Sequence, residues 1–414
     1  MSSKLWVGIL GVVIVFIGVK ALMVASQSDK VSSGKGTVLS GGVQGKDKRL
    51  YPRGVWVTVF SKYKVLYSTQ AITELIDYCK KNGINEIYLQ VYRAGESYYD
   101  SQIAGREKYN AILKAAGNDP IDRILAEARK NDIKVFAWVN VLSLAKNKHA
   151  PILEKHGTEV LTRDQHSRTS IRTDAIDHSD KFYLRDDQIF LEPGDERVVD
   201  WNLSIVDEIV MRYPELDGIH LDYIRYPYPV PSIPDGRFVQ FGVTYGYGER
   251  NVDRFTKVYG LDPVKGDVYK NELSLKWDGW KREQVTGLVR RISALVREKA
   301  GHWEISCAVV PAQERAYSYA FQDWPLWLEK DLVDHVVLMN YTRDERLSAS
   351  LLKGALAFRG KGKIYAGVGV FLLKDASTVK QFLDIVNEAN PDGVVYFSYD
   401  EVRDLAVSQE DKKG

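Results

Sequence analysis

Asp217–Pro227 reads Asp-Gly-Ile-His-Leu-Asp-Tyr-Ile-Arg-Tyr-Pro. It opens on an Asp-Gly pair of the kind that makes tight turns, then alternates as a strand does. Side chains alternate along a strand, so His220 and Asp222 share one face and Ile219, Leu221 and Tyr223 the other. A carboxyl group on an otherwise apolar strand, followed by Arg225, suits general acid–base work. Similar groups end other β-rich runs: Arg93 and Glu96, Trp138 and Asn140, Asn340 and Tyr341, and Tyr399. Carboxylates, amides, arginines and aromatic rings converging on one face are what hydrolysis of a glycosidic bond uses. One carboxylic acid protonates the leaving oxygen, a second acts as nucleophile or base, and rings stack on the sugar. Asp222 is the first expected catalytic carboxylate. The second is sought among Glu96, Glu314, Asp344 and Asp400, and Glu96 is preferred because it shares a loop with Arg93. Arg93, Trp138, Asn140, His220, Arg225, Tyr226, Asn340, Tyr341 and Tyr399 are expected to hold substrate. For His220 the competing expectation is a barrel-interior imidazole with its hydrogen bonds satisfied. No pair of histidines has metal-ligand spacing, so neither a metal nor another cofactor is expected.

Something must bring those strand ends together. Eight β-rich runs alternate with amphipathic helical patterns: 54–60, 86–92, 134–140, 218–224, 304–310, 335–341, 363–370 and 393–399. Each is rich in Val, Ile, Leu, Tyr or Phe, as buried parallel strands are. Asp119-Pro120 reads as a helix N-cap and first-turn proline, and Gly83 as a helix stop. Eight strands each followed by a helix predict a (β/α)8 TIM barrel over residues 51–405. An open doubly wound sheet would carry a glycine-rich turn after its first strand, where this chain has Phe60-Ser-Lys-Tyr63. The connections after strands three and four are long, and they flank the strand that carries Asp222. They are expected to wall a groove on the carboxyl face.

The rest of the sequence narrows the class of partner. The 414 residues carry a net charge of +2, without the basic excess of a nucleic-acid binder. With 24 Tyr, 13 Phe and 9 Trp there is ample flat apolar surface for stacking on sugars. Cys79 and Cys307 fall in apolar patterns with no disulfide or zinc spacing, so both are expected as free buried thiols. Leu5–Ala25 is a run of 21 residues interrupted only by Lys20, long enough to cross a bilayer as a single-pass signal anchor. A cleaved signal peptide is the alternative. Residues 26–50 read as a Ser/Gly/Lys linker and residues 406–414 as a disordered tail. The expected location is therefore the cell membrane with the barrel outside the cytoplasm, or a secreted form.

At these residues the chain resembles the glycosyl-hydrolase-like family 10 proteins, barrel enzymes of bacterial envelopes. The resemblance rests on Arg53-Gly-Val-Trp56, Gln90-Val-Tyr-Arg93-Ala-Gly-Glu96, Ala137-Trp-Val-Asn140, Leu191-Glu-Pro-Gly194, Asp217–Pro227, Trp277-Asp-Gly-Trp280-Lys-Arg-Glu283 and Met339-Asn-Tyr341. It implies a glycoside hydrolase of the cell surface or periplasm acting on peptidoglycan glycan strands, particularly strands stripped of peptide. A noncatalytic glycan-binding barrel is the alternative. Glu96 stands where the family usually has Asp, and Val141 where it usually has Pro. The strand-four motif also resembles that of family 18 chitinases, but His220 and Ile224 occupy the positions of their second Asp and catalytic Glu. That argues against acetamido-assisted chemistry.

Overall fold

The computed structural model describes residues 51–169, 171, 188–227, 244–266, 271–373 and 375–410. The apolar run 5–25 and the linker expected at 26–50 lie outside them. Among the described residues no helix is long and apolar enough to cross a membrane.

Eight parallel strands close on themselves: β1 (Arg53–Val57), β2 (Glu86–Arg93), β3 (Lys134–Asn140), β4 (Gly218–Asp222), β5 (Glu304–Val309), β6 (His335–Asn340), β7 (Lys363–Gly369) and β8 (Gly393–Phe397). Each pairs with its sequence neighbours, and β1 pairs with both β2 and β8, so the expected TIM barrel is formed. The helices between strands begin as anticipated. Asp119 accepts a hydrogen bond from the Ile121 amide at 2.9 Å, with Pro120 in the first turn. Helix Thr69–Asn82 ends on Gly83, whose φ of 64° is left-handed and suits glycine.

A side-chain device repeats on alternate strands at the barrel's amino end. Asn85, Asp217, Asp334 and Asp392 each precede an even-numbered strand. Each accepts the amide of the odd-numbered strand before it, from Arg53, Val135, Ile305 and Ile364, at 2.7–2.9 Å. Asp217 is thus a strand-entry cap, not the corner of a turn; the turn lies just upstream at Pro214–Glu215. Gly218 follows because a Cβ there would stand 2.1 Å from the Glu304 carbonyl oxygen and 2.7 Å from the Phe136 ring.

Alternation sorts the strands' side chains between two cores. Ile219 and Leu221 join the layer between barrel and helices. Trp56, Tyr88, Phe136, Trp138, Val337, Tyr365 and Val395 fill the barrel's interior. Both cysteines are buried and free. The last helix runs Tyr399–Glu410, five residues into the stretch expected as a tail.

The two long connections knit to each other around one buried carboxylate. Glu192 Oε1 accepts from the Tyr226 hydroxyl at 2.5 Å and the Gly194 amide at 3.1 Å. Its Oε2 accepts from the Thr162 hydroxyl at 2.9 Å and the Gly248 amide at 3.2 Å. Lys281 is buried beside this knot, its ammonium 4.1 Å from the centre of the Phe321 ring. The motifs Leu191–Gly194 and Trp277–Glu283 therefore serve this joint.

Candidate active site

At the carboxyl end of the barrel lies a cavity of about 300 Å³. Its floor and walls come from the ends of β1 to β6 and β8, where barrel enzymes place their chemistry. Asp222, the last residue of β4, is 8% exposed in its wall. One carboxylate oxygen accepts the Tyr223 amide at 2.7 Å and the other the Trp138 indole N–H at 3.2 Å. The first bond depends on a backbone reversal: Tyr223 has φ of 52°, a left-handed conformation costly for a side chain with a Cβ. That reversal ends β4 at Asp222. It also breaks the alternation, so Tyr223, expected on the outer face, lines the cavity instead.

Burial raises the pKa of Asp222 above the ordinary aspartate value. Arg225, the Tyr223 amide, the Trp138 indole and Arg93 all pull the other way, by favouring the anion. The result is a carboxyl group that holds its proton to higher pH than a free one, while polar groups stand ready to receive the charge when the proton leaves. Such a group can donate a proton in a cleft that excludes water.

Five other expected residues share this cavity's wall with Asp222: Arg93, Trp138, Asn140, Arg225 and Tyr341. Asn140 accepts from the Gln90 amide at 3.1 Å, and Tyr341 packs edge-on to Phe371. Arg225 lies over the Tyr223 ring at 4.8 Å, with Phe190 of the preceding connection beneath both. This is the described contribution of that connection to the cavity: it backs the wall.

The remaining expected residues go elsewhere. His220 is fully buried one layer below Asp222, accepting the Trp56 indole N–H at 3.1 Å and meeting the Ser306 hydroxyl at 2.8 Å. Two residues back along a strand is about 6.6 Å deeper, which puts its imidazole in the interior packing and out of the cavity wall. Desolvation lowers its pKa well below the ordinary histidine value, so it is neutral. Tyr226 belongs to the Glu192 knot. Asn340 alternates outward from Met339 and donates to the carbonyl and hydroxyl of Ser348. Tyr399 turns onto Tyr63 and Tyr78 and accepts from Arg403 at 2.9 Å. Glu96 pairs with Arg93 in a short antiparallel turn of chain, and its carboxylate folds over Gly105, where an added Cβ would stand 2.7 Å from either oxygen. Burial raises its pKa too. It is not part of the cavity wall, and among the described lining residues Asp222 is the one carboxylate.

Trp56, Gln90 and Phe397 line the cavity and were not among the expected site residues. Alternation could have found them. Trp56 and Gln90 point inward at the carboxyl halves of β1 and β2, and Phe397 lies two residues beyond the inward Val395.

The sequence profile of the family described as Glycosyl hydrolase-like 10 matches residues 52–382. This chain belongs to the glycosyl hydrolase-like 10 family. Two relatives bear the same general description. Glycosyl hydrolase DigH of Escherichia coli K12 is 24% identical over 330 residues, covering 72% of this chain and 67% of DigH. Glycosyl hydrolase YngK of Bacillus subtilis 168 is 21% identical over 292 residues, covering 66% of this chain and 49% of YngK. The chain therefore spans about half the length of YngK. Among solved structures, the catalytic domain of β-amylase from Paenibacillus polymyxa superposes with a TM-score of 0.58 at 12% identity, over 84% of this chain and 92% of that one. A β-galactosidase from Marinomonas ef1 gives 0.57 at 10% identity, over 87% and 59%. At these identities the likeness to the family's structural neighbours is one of fold.

Proposed function

We propose that this protein is a glycoside hydrolase of the cell envelope that cleaves peptidoglycan glycan strands, with Asp222 as its proton-donating carboxylate. The observation that carries the reading is Asp222 itself: a buried carboxyl group at the carboxyl end of β4, held between an indole and a backbone amide in an aromatic-walled cavity. Trp138, Tyr341 and Phe397 offer ring faces and edges to a sugar, and Gln90 and Asn140 offer amides to its hydroxyls. Family membership supports the reaction class. The apolar run 5–25 supports a location outside the cytoplasm, tethered or secreted.

The test is release of reducing ends from peptide-stripped glycan strands by the purified protein. Asp222→Asn is expected to lower the rate by about 10²–10⁴-fold, the range for losing a general acid. Glu96→Gln, altering a carboxylate outside the cavity wall, is expected to cost far less. Unchanged cleavage by the Asp222 variant would remove Asp222 from the mechanism.

One observation favours a second reading. Hydrolysis of this kind uses two carboxylates, and the described wall holds one. A noncatalytic glycan-binding barrel would retain glycan strands without releasing reducing ends, and Trp138→Ala or Tyr341→Ala would abolish that retention.

A further inference from the structure

Arg93 is a charge in the cavity wall that, among the described residues, no carboxylate contacts. It ends β2, and its guanidinium lies 4.7 Å from the centre of the Phe60 ring, which leaves the planar fork backed by an aromatic face. Among the described residues its side chain forms no hydrogen bond or ion pair. Asp222 acts on it across the cavity and not in contact: the Asp222 oxygens meet the Tyr223 amide and the Trp138 indole, and neither is bonded to Arg93. Arg225 stands in the same wall, over the Tyr223 ring. Two guanidinium groups therefore face one carboxyl group whose burial favours its neutral form.

Neutral sugar hydroxyls need amides and hydroxyls, which Gln90 and Asn140 already provide. An arginine held partly out of water costs desolvation that a hydroxyl repays poorly and an anion repays well. The guanidinium fork matches a carboxylate in plane and in spacing, so it can take two parallel hydrogen bonds. An excess of positive charge in a low-dielectric cleft also concentrates anionic ligands.

We propose that the cavity takes a sugar bearing a carboxylate, and that Arg93 is the specificity-determining residue that pairs with it. This rests on the glycan-binding part of the function proposed above, and it narrows the substrate class. Two sources share this chemistry. One is the lactyl ether of an N-acetylmuramyl unit, whose carboxylate is free only where no peptide is attached; the other is a uronic acid in the chain.

The experiment uses the full chain with two polymers, peptide-free peptidoglycan strands and hyaluronan, each before and after conversion of its carboxylates to methylamides. Wild type is expected to favour the free acid of one polymer over its amide by about tenfold or more in kcat/KM, the scale of one charge-assisted hydrogen-bond pair. The polymer that shows the preference identifies the source. Arg93→Gln is expected to bring the acid-to-amide ratio to near one, and Arg93→Lys to restore part of it. The same ratio is read in Kd by calorimetry on Asp222→Asn, which does not depend on turnover. Preference in binding without cleavage by wild type would retain this inference and remove the hydrolase reading alone. Equal handling of acid and amide in both polymers, or a preference that survives in Arg93→Gln, would overturn it.

Discussion

Asp222 is set between opposing forces, and each can be removed singly. Burial favours its protonated form; the Trp138 indole N–H, the Tyr223 amide and the two arginines favour its anion. Trp138→Phe keeps a ring in the wall and deletes one stabiliser of the anion, so the Asp222 pKa rises further. In the pH dependence of kcat/KM, the limb reporting Asp222 moves to higher pH. With Asp222 as proton donor, activity then persists further into the alkaline range, while its maximum falls with the altered wall. A limb that stays in place or moves down would show that the indole does not act on Asp222. His220 gives the contrasting case on the same strand face. It is neutral and saturated by Trp56 and Ser306, so its substitution belongs to packing and leaves that limb where it was.

Between elements, the joint at Glu192 is where two connections become one structure. The four donors that meet its carboxylate include two backbone amides, Gly194 on one oxygen and Gly248 on the other. A hydroxyl can reverse its role; a backbone N–H cannot. Glu192→Gln therefore leaves one amide facing an NH₂ group in either orientation of the new side chain, at about 1–3 kcal/mol. Hydrogen exchange at Gly246 and Gly248 is expected to rise in the variant, with the amides of β1 to β8 unchanged. Equal protection in both proteins would show that the joint does not depend on this carboxylate. The same contact shows what local patterns in a sequence can carry. All eight strands were legible because each is a short β-rich run bounded by Gly, Pro or polar residues. Arg93, Trp138, Asn140, Asp222, Arg225 and Tyr341 were legible because a strand end in a barrel is a place as well as a conformation. Asn340 and Tyr399 were misplaced because one residue of parity, or one step beyond a strand's last pair, turns a side chain from the cavity to the helices. The Glu192–Gly248 contact joins residues 56 apart through loop geometry, to which no periodicity in the sequence corresponds.

At the scale of the whole barrel, the end opposite the cavity carries a buried ionisable chain that ties stability to pH. Glu86 lies 2.8 Å from the Tyr88 hydroxyl, which lies 3.0 Å from His335 Nε2; His335 Nδ1 faces Glu304 at 3.6 Å. Burial raises the Glu86 pKa from 4.5 to about 7, and desolvation lowers that of His335 to about 3. Tyr88 donates to the Glu86 carboxyl group, which favours the anion, but burial outweighs that bond and keeps the proton on Glu86. Because its folded pKa is the higher one, protonated Glu86 contributes stability that is fully present below about pH 4.5 and lost as pH rises through about 7. The size of that loss is about 3 kcal/mol. The histidines act in the opposite sense, since a depressed folded pKa withdraws stability as pH falls below the ordinary histidine value. They are present in wild type and in Glu86→Gln alike, so the difference between the two proteins isolates Glu86. Glutamine cannot ionise, and its amide oxygen can still accept from the Tyr88 hydroxyl. Relative to wild type, Glu86→Gln is therefore expected to gain in melting temperature as the buffer is taken from pH 5 to pH 8 at one scan rate. A difference that stays flat across that range would mean that Glu86 ionises in the folded barrel as easily as in the unfolded chain.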